Sequence, residues 1–127
     1  MKLGTISALG VMLALAGFGA SAAAAGDAAN GEKVYNKCKA CHALEAGKNK
    51  MGPSLAGIMG RQAGTAEGFA KYSEAMKGSG VVWDDAALAS FLAKPKEFIP
   101  ENKHTLAGFE NEGDIADVIA YLKDAAM

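Results

Sequence analysis

The sequence predicts a small all-α domain in which short helices are joined by long loops wrapped around a central group. Three observations predict it. Ile115, Val118, Ile119 and Leu122 recur at i, i+3, i+4 and i+7, the spacing of one apolar helix face. No alternating apolar and polar run makes a strand. Gly47 to Gly68 is rich in glycine and has little periodicity, and loops that long in so small a domain normally wrap something.

The chain has 127 residues, room for one domain, and its start is read apart from that domain. Lys2 is followed by an uncharged stretch from Leu3 to Gly26. Its centre is apolar (Ile6, Leu9, Val11, Met12, Leu13, Leu15, Phe18), and it ends in the small residues Ala20 to Ala25. A basic start, an apolar centre and an A-x-A end describe a secretory signal peptide. The rival is an uncleaved anchor, because the uncharged stretch is long enough to span a bilayer. The Gly and Ala content and the small-residue tail favour cleavage near Ala25. Residues 1–25 are therefore expected to be the signal peptide and residues 26–127 the domain. No stable membrane insertion is expected after cleavage. The remaining chain of about a hundred residues buries a modest core and gains from a large apolar cofactor at its centre. The net charge of −1 becomes −2 without Lys2. With no basic run and no aromatic platform, nucleic acid is excluded as a partner.

The elements follow in order. Asn30 to Lys37 reads as a short helix with Asn30 as N-cap and Glu32 in the first turn. It leads into Cys38-Lys39-Ala40-Cys41-His42. The glycine-rich loop comes next, with one helical turn expected around Leu55 to Met59. Tyr72 to Lys77 forms a brief helix stopped by Gly78-Ser79-Gly80. Asp84 caps a helix with Leu88, Phe91 and Leu92 on one face, ended by Pro95. Pro100 opens a loop from Glu101 to Glu110, and the final periodic helix begins near Asn111.

The chemistry lies in Cys38-Lys39-Ala40-Cys41-His42. Two thiols three residues apart on a helical turn are spaced to add across both vinyl groups of a haem, and the next imidazole binds the iron from the same side. The C-x-x-C-H pattern is read as c-type haem attachment, with Cys38 and Cys41 as thioether residues and His42 as proximal ligand. A disulfide would close a very small loop and leave His42 without a role. A thioredoxin-type pair wants a βαβ setting, and a zinc site wants two more ligands where only His104 remains. Export agrees with this reading, since such attachment occurs outside the cytoplasm in bacteria, and the expected location is the periplasm. A proximal His leaves the sixth iron position to be filled, and its occupant decides the function. The candidates are Met51, Met59, Met76, Met127 and His104.

These residues together resemble the class I cytochromes c, over nearly all of residues 26–127. Gly31 with Tyr35 resembles the Gly and aromatic of that family's first helix, and Tyr121 the aromatic of its last; the resemblance implies that these helices cross closely. Gly52-Pro53-Ser54-Leu55 resembles the segment whose Pro carbonyl accepts a hydrogen bond from the proximal His. Arg61, within Gly60-Arg61-Gln62-Ala63-Gly64, is similar to the family's polar residue near the haem propionates, as are Tyr72 and Trp83. The family's loop reads Ile-Pro-x-x-Lys-Met, with Met as sixth ligand; here Ile99-Pro100-Glu101-Asn102-Lys103 is followed by His104. The resemblance then implies bis-His iron, His42 with His104. Lys103 as ligand and an open site are the alternatives. Exchange of Met for His predicts a lower potential than the family's, since the thioether raises it. Phe91 stands where the family often has Tyr, and Leu106 where it often has an aromatic.

Lys37, Lys50, Lys96 and Lys103 match family lysines near the exposed haem edge, which implies docking of larger redox proteins with acidic surfaces. The acids Glu110, Glu112, Asp114, Asp117 and Asp124 gather at the C-terminal helix. The expected function is a periplasmic, monomeric one-electron carrier without enzymatic activity. The alternative is a haem enzyme or a gas- or peroxide-binding protein with an open or displaceable sixth position. Beyond His104, the distal loop offers only Asn102, Lys103 and Thr105 as polar groups for acid–base work.

Overall fold

The structure is a computed structural model describing residues 26–127; the signal peptide expected over residues 1–25 lies outside them. Five helices follow one another among the described residues, α1 (Ala28–Tyr35), α2 (Glu74–Lys77), α3 (Asp85–Ala93), α4 (Pro95–Phe98) and α5 (Glu112–Ala125). This is the all-α architecture that the periodicity predicts. None of these helices is long and apolar enough to cross a membrane.

The first helix begins two residues before the expected start. Asp27, not Asn30, is the N-cap, and its Oδ1 accepts from the amides of Ala29 (2.9 Å) and Asn30 (3.4 Å). A carboxylate at that position satisfies the orphan amides of the first turn. The Asn30 side chain turns away and donates to Asp117 Oδ2 of α5 at 2.6 Å. After Tyr35 the chain continues in tight turns, with the Cys38 amide bonded to the Tyr35 carbonyl (2.8 Å) and the His42 amide to that of Cys38 (2.9 Å). The attachment motif is thereby fixed to the end of α1.

α1 packs across α5 at Gly31. A Cβ built there would sit 1.9 Å from the Asp117 carbonyl oxygen and 2.8 Å from Tyr121 Cβ, so only glycine permits the approach. One turn on, the Tyr35 and Tyr121 rings meet with centroids 5.4 Å apart. Asp117 ties the crossing further by accepting from the Asp27 amide at 2.7 Å. Behind it lies the core of Val34, Leu88, Phe91, Ile115, Val118 and Leu122.

Ser73 caps α2 through the Met76 amide at 3.0 Å, Asp84 caps α3 through Ala87 at 2.7 Å, and Asn111 caps α5 through Gly113 at 2.8 Å. Pro95 does more than end α3. It occupies the first turn of α4, an element not expected from the sequence, where its missing N–H leaves no bond unmade. The helical turn expected around Leu55 to Met59 is instead a pair of tight turns, closed by Ile58 N–H to Leu55 (3.0 Å) and Arg61 N–H to Ile58 (3.1 Å). Among the described residues the only bridge outside helices pairs Gln62 with Val82, and it brings Arg61 beside Trp83.

Candidate functional site

The two histidines, 62 positions apart in sequence, face each other. Their ring centroids are 5.9 Å apart and their planes lie 16° from parallel. Two imidazoles bound end-on to one metal ion, each about 2.0–2.1 Å away, place their centroids about 6 Å apart. The spacing therefore fits one iron between the rings.

His42 is oriented from behind. Its Nδ1 lies 2.7 Å from the Pro53 carbonyl, which can only accept, so Nδ1 carries the proton and Nε2 keeps its lone pair. Gly52 lets Pro53 approach, because a Cβ on Gly52 would strike the His42 ring at 2.4 Å. Burial lowers the pKa of His42 and Arg61 lowers it further, against the Pro53 bond that raises it. The ring is neutral at pH 7, the form that ligates metal. Cys38 and Cys41 are half-buried and not joined to each other. Burial and then Cys41 raise the Cys38 thiol, with Lys37 opposing.

His104 is held by the loop after α4. Its amide donates to Asn102 Oδ1 at 2.8 Å, and its Nδ1 accepts from the Leu106 amide at 3.1 Å. Phe91 stands edge-on to the ring, with centroids 5.3 Å apart and planes at 88°. Burial pushes the His104 pKa down to about 4, with His42 and Lys96 adding to it. Of the methionine candidates, Met51 and Met127 are 75% and 94% exposed, while Met59 and Met76 pack against the core.

Arg61, Tyr72 and Trp83 gather on one flank. Arg61 donates from its two terminal nitrogens to the carbonyls of Ala56 (2.8 Å) and Ser54 (3.0 Å), and its Nε is buried without a partner. An unpaired guanidinium N–H is costly unless it meets an acceptor, and a haem propionate supplies one. The donor set fits the group that the attachment motif implies. Tyr72 is near enough to Arg61 to act on its charge, though its hydroxyl accepts from the Ala66 amide at 3.0 Å. Trp83 bonds through its amide to the Arg61 carbonyl at 2.9 Å and sets its ring against Phe91 at 5.3 Å.

Lys37, Lys50, Lys96 and Lys103 are all exposed residues. Three of them are braced: Lys37 lies over the Phe109 ring (5.3 Å), Lys50 Nζ donates to the Lys39 carbonyl (3.1 Å), and Lys96 Nζ donates to the Asn102 carbonyl. Asn102 is a buried residue at the site whose bonding sequence reasoning missed, and the signal was a polar residue in a tight loop directly before Lys103 and His104.

Residues 28–126 match the family model described as cytochrome c. Cytochrome c2 iso-2 of Magnetospirillum fulvum is 53% identical over 95 residues, which are 75% of this chain and 98% of that protein. Cytochrome c-554 of Methylosinus trichosporium is 45% identical over 123 residues, covering 96% of this chain and 92% of its own. Among solved structures, cytochrome cH from Methylobacterium extorquens superposes with a TM-score of 0.73 at 46% identity, over 78% of this chain and 99% of that one.

Proposed function

The chain belongs to the cytochrome c family, and on that premise we propose that it is a periplasmic carrier of single electrons with bis-His iron. It is an electron-transfer cytochrome with one covalent haem c, and not an enzyme. Cys38 and Cys41 hold the haem through thioethers, His42 is the proximal ligand oriented by Pro53, and His104 is the sixth ligand. Arg61 Nε would donate to a propionate, with Tyr72 and Trp83 beside it. The haem supplies a one-electron couple at the iron. The protein supplies two neutral imidazoles and a counter-charge, and it holds the ligands so that little rearranges when the electron moves. Residues 1–25 act as the cleaved export signal, and the mature domain is a monomer that meets acidic partners at Lys37, Lys50, Lys96 and Lys103.

The observation that carries bis-His ligation is the opposition of the two rings at 5.9 Å with nearly parallel planes. Replacing His104→Met tests it, because a thioether raises the potential relative to imidazole. A marked rise is expected. An unchanged potential refutes His104 as ligand.

One observation favours a displaceable sixth position. With Nδ1 accepting from Leu106, a neutral His104 ring carries its proton on Nε2, opposite in polarity to His42. Iron binding at Nε2 then has to displace that proton or break the Leu106 bond. A second reading follows, in which small ligands reach the iron while the His104 N–H donates to them. Rapid carbon monoxide binding by the ferrous protein distinguishes this reading from the first.

A further inference from the structure

We propose that Asn102 is the positioning residue that sets His104 over His42, an inference resting on His104 as the sixth ligand. Asn102 is 2% exposed in a loop whose neighbours Glu101 and Lys103 are exposed. Its side chain makes three hydrogen bonds. Nδ2 donates to the carbonyls of Pro95 (2.7 Å) and Ile99 (2.8 Å), and Oδ1 accepts from the His104 amide (2.8 Å). Its own carbonyl is engaged by Lys96 Nζ.

These bonds join the two ends of α4 to the backbone of the ligand. Pro95 opens α4 and Ile99 is its C-cap, so the amide spans that helical turn and hands its rigidity to residue 104. A buried amide with three well-placed partners is worth most where nothing else fixes the chain, and a surface loop is such a place. The required chemistry is narrow. Both carbonyls, which already accept from the Ile99 and Asn102 amides, take a second donor here, and the His104 amide takes an acceptor, so only a carboxamide of this length serves all three. Aspartate has the shape but would set a carboxylate oxygen against the Pro95 and Ile99 carbonyls. Serine is too short to span them. The Phe91 edge then orients the ring on a backbone already placed.

The test uses the full haem-loaded protein with Asn102→Asp and Asn102→Ser, beside His104→Ala and the α5 core truncation Val118→Ala. Cyanide binding to the ferric protein is timed, and the low-spin electron paramagnetic resonance spectrum reports ring orientation. Loss of a residue that orients a metal ligand typically weakens the metal bond about 10- to 100-fold, and a cyanide rate raised to that extent is expected in both Asn102 variants. Their resonance positions shift, while Val118→Ala keeps the parent spectrum and rate. Should Asn102→Asp fail to fold, Asn102→Ser carries the same expectation. Parent-like rates and spectra in the Asn102 variants, with His104→Ala fast, overturn the role of Asn102 alone. An equal response in Val118→Ala also overturns it, as mere loss of stability. A parent-like cyanide rate in His104→Ala overturns His104 ligation, and with it this inference.

Discussion

Glu101 adopts φ of +65°, the only non-glycine residue with positive φ among the described residues. A left-handed conformation costs an L-residue roughly 1–2 kcal/mol. The turn after Pro100 nevertheless requires it, because the Asn102 amide must reach the Ile99 carbonyl (3.2 Å) while its side chain bends back to α4. Glu101→Gly is expected to remove that strain, offset in part by greater freedom in the unfolded chain, for a net gain of about 0.5–1 kcal/mol. Denaturant midpoints measure it, and a loss of stability would contradict it. Gly31 makes the opposite case. Gly31→Ala drives a methyl into the Asp117 carbonyl, and a loss of about 1–3 kcal/mol or more is expected from such overpacking. At this scale the attachment motif was legible from spacing alone, and His104 from the loop it occupies. Asn102 was not. A lone buried amide has no sequence period, and its partners Pro95 and Ile99 become neighbours only once α4 has formed.

The pairing of α1 with α5 rests on a contact and a charge. Asp117 accepts from the Asp27 amide and from Asn30, and these bonds hold its carboxyl below the usual aspartate range. A lowered folded pKa contributes stability that is complete above the unfolded value and is lost as pH falls through the folded one. Asp117→Asn should therefore lower the thermal midpoint at pH 7. The difference from the parent should shrink as pH falls below about 3.9, the ordinary aspartate pKa. A difference constant across that range would show that the carboxylate is not the active group. Helix α5 was plain in the sequence because its apolar face has the right period over fourteen residues. The start of α1 was misplaced because Asp27 and Asn30 both have cap chemistry, and only the partner helix decides between them. Helix α4 went unseen because four residues are too few to show a period, and Pro95 was read as a stop rather than a start.

For the whole molecule, charge is separated although the net is small. Lysines lie beside the attachment turn and the distal loop, and Glu110, Glu112, Asp114 and Asp124 lie along or just before α5. Bracing of Lys37 and Lys50 lowers the entropy cost of presenting them without removing their charge. Lys50→Glu is expected to slow second-order electron transfer with an acidic redox partner several-fold at low salt. The difference should fade at about 1 M salt, where the Debye length is about 3 Å. A salt-independent rate in the parent would remove the docking face. The helical fold and its cofactor were legible from composition and motif. The mutual placement of His42 and His104 was implied by the resemblance, whereas its supports, Pro53 behind one ring and the Asn102 loop behind the other, were legible only for Pro53. The most direct test of bis-His ligation is the optical spectrum of the haem-loaded protein, ferric and ferrous, with and without carbon monoxide. A low-spin spectrum in both states, unmoved by carbon monoxide, is predicted; rapid carbon monoxide binding or a high-spin ferric band would contradict it.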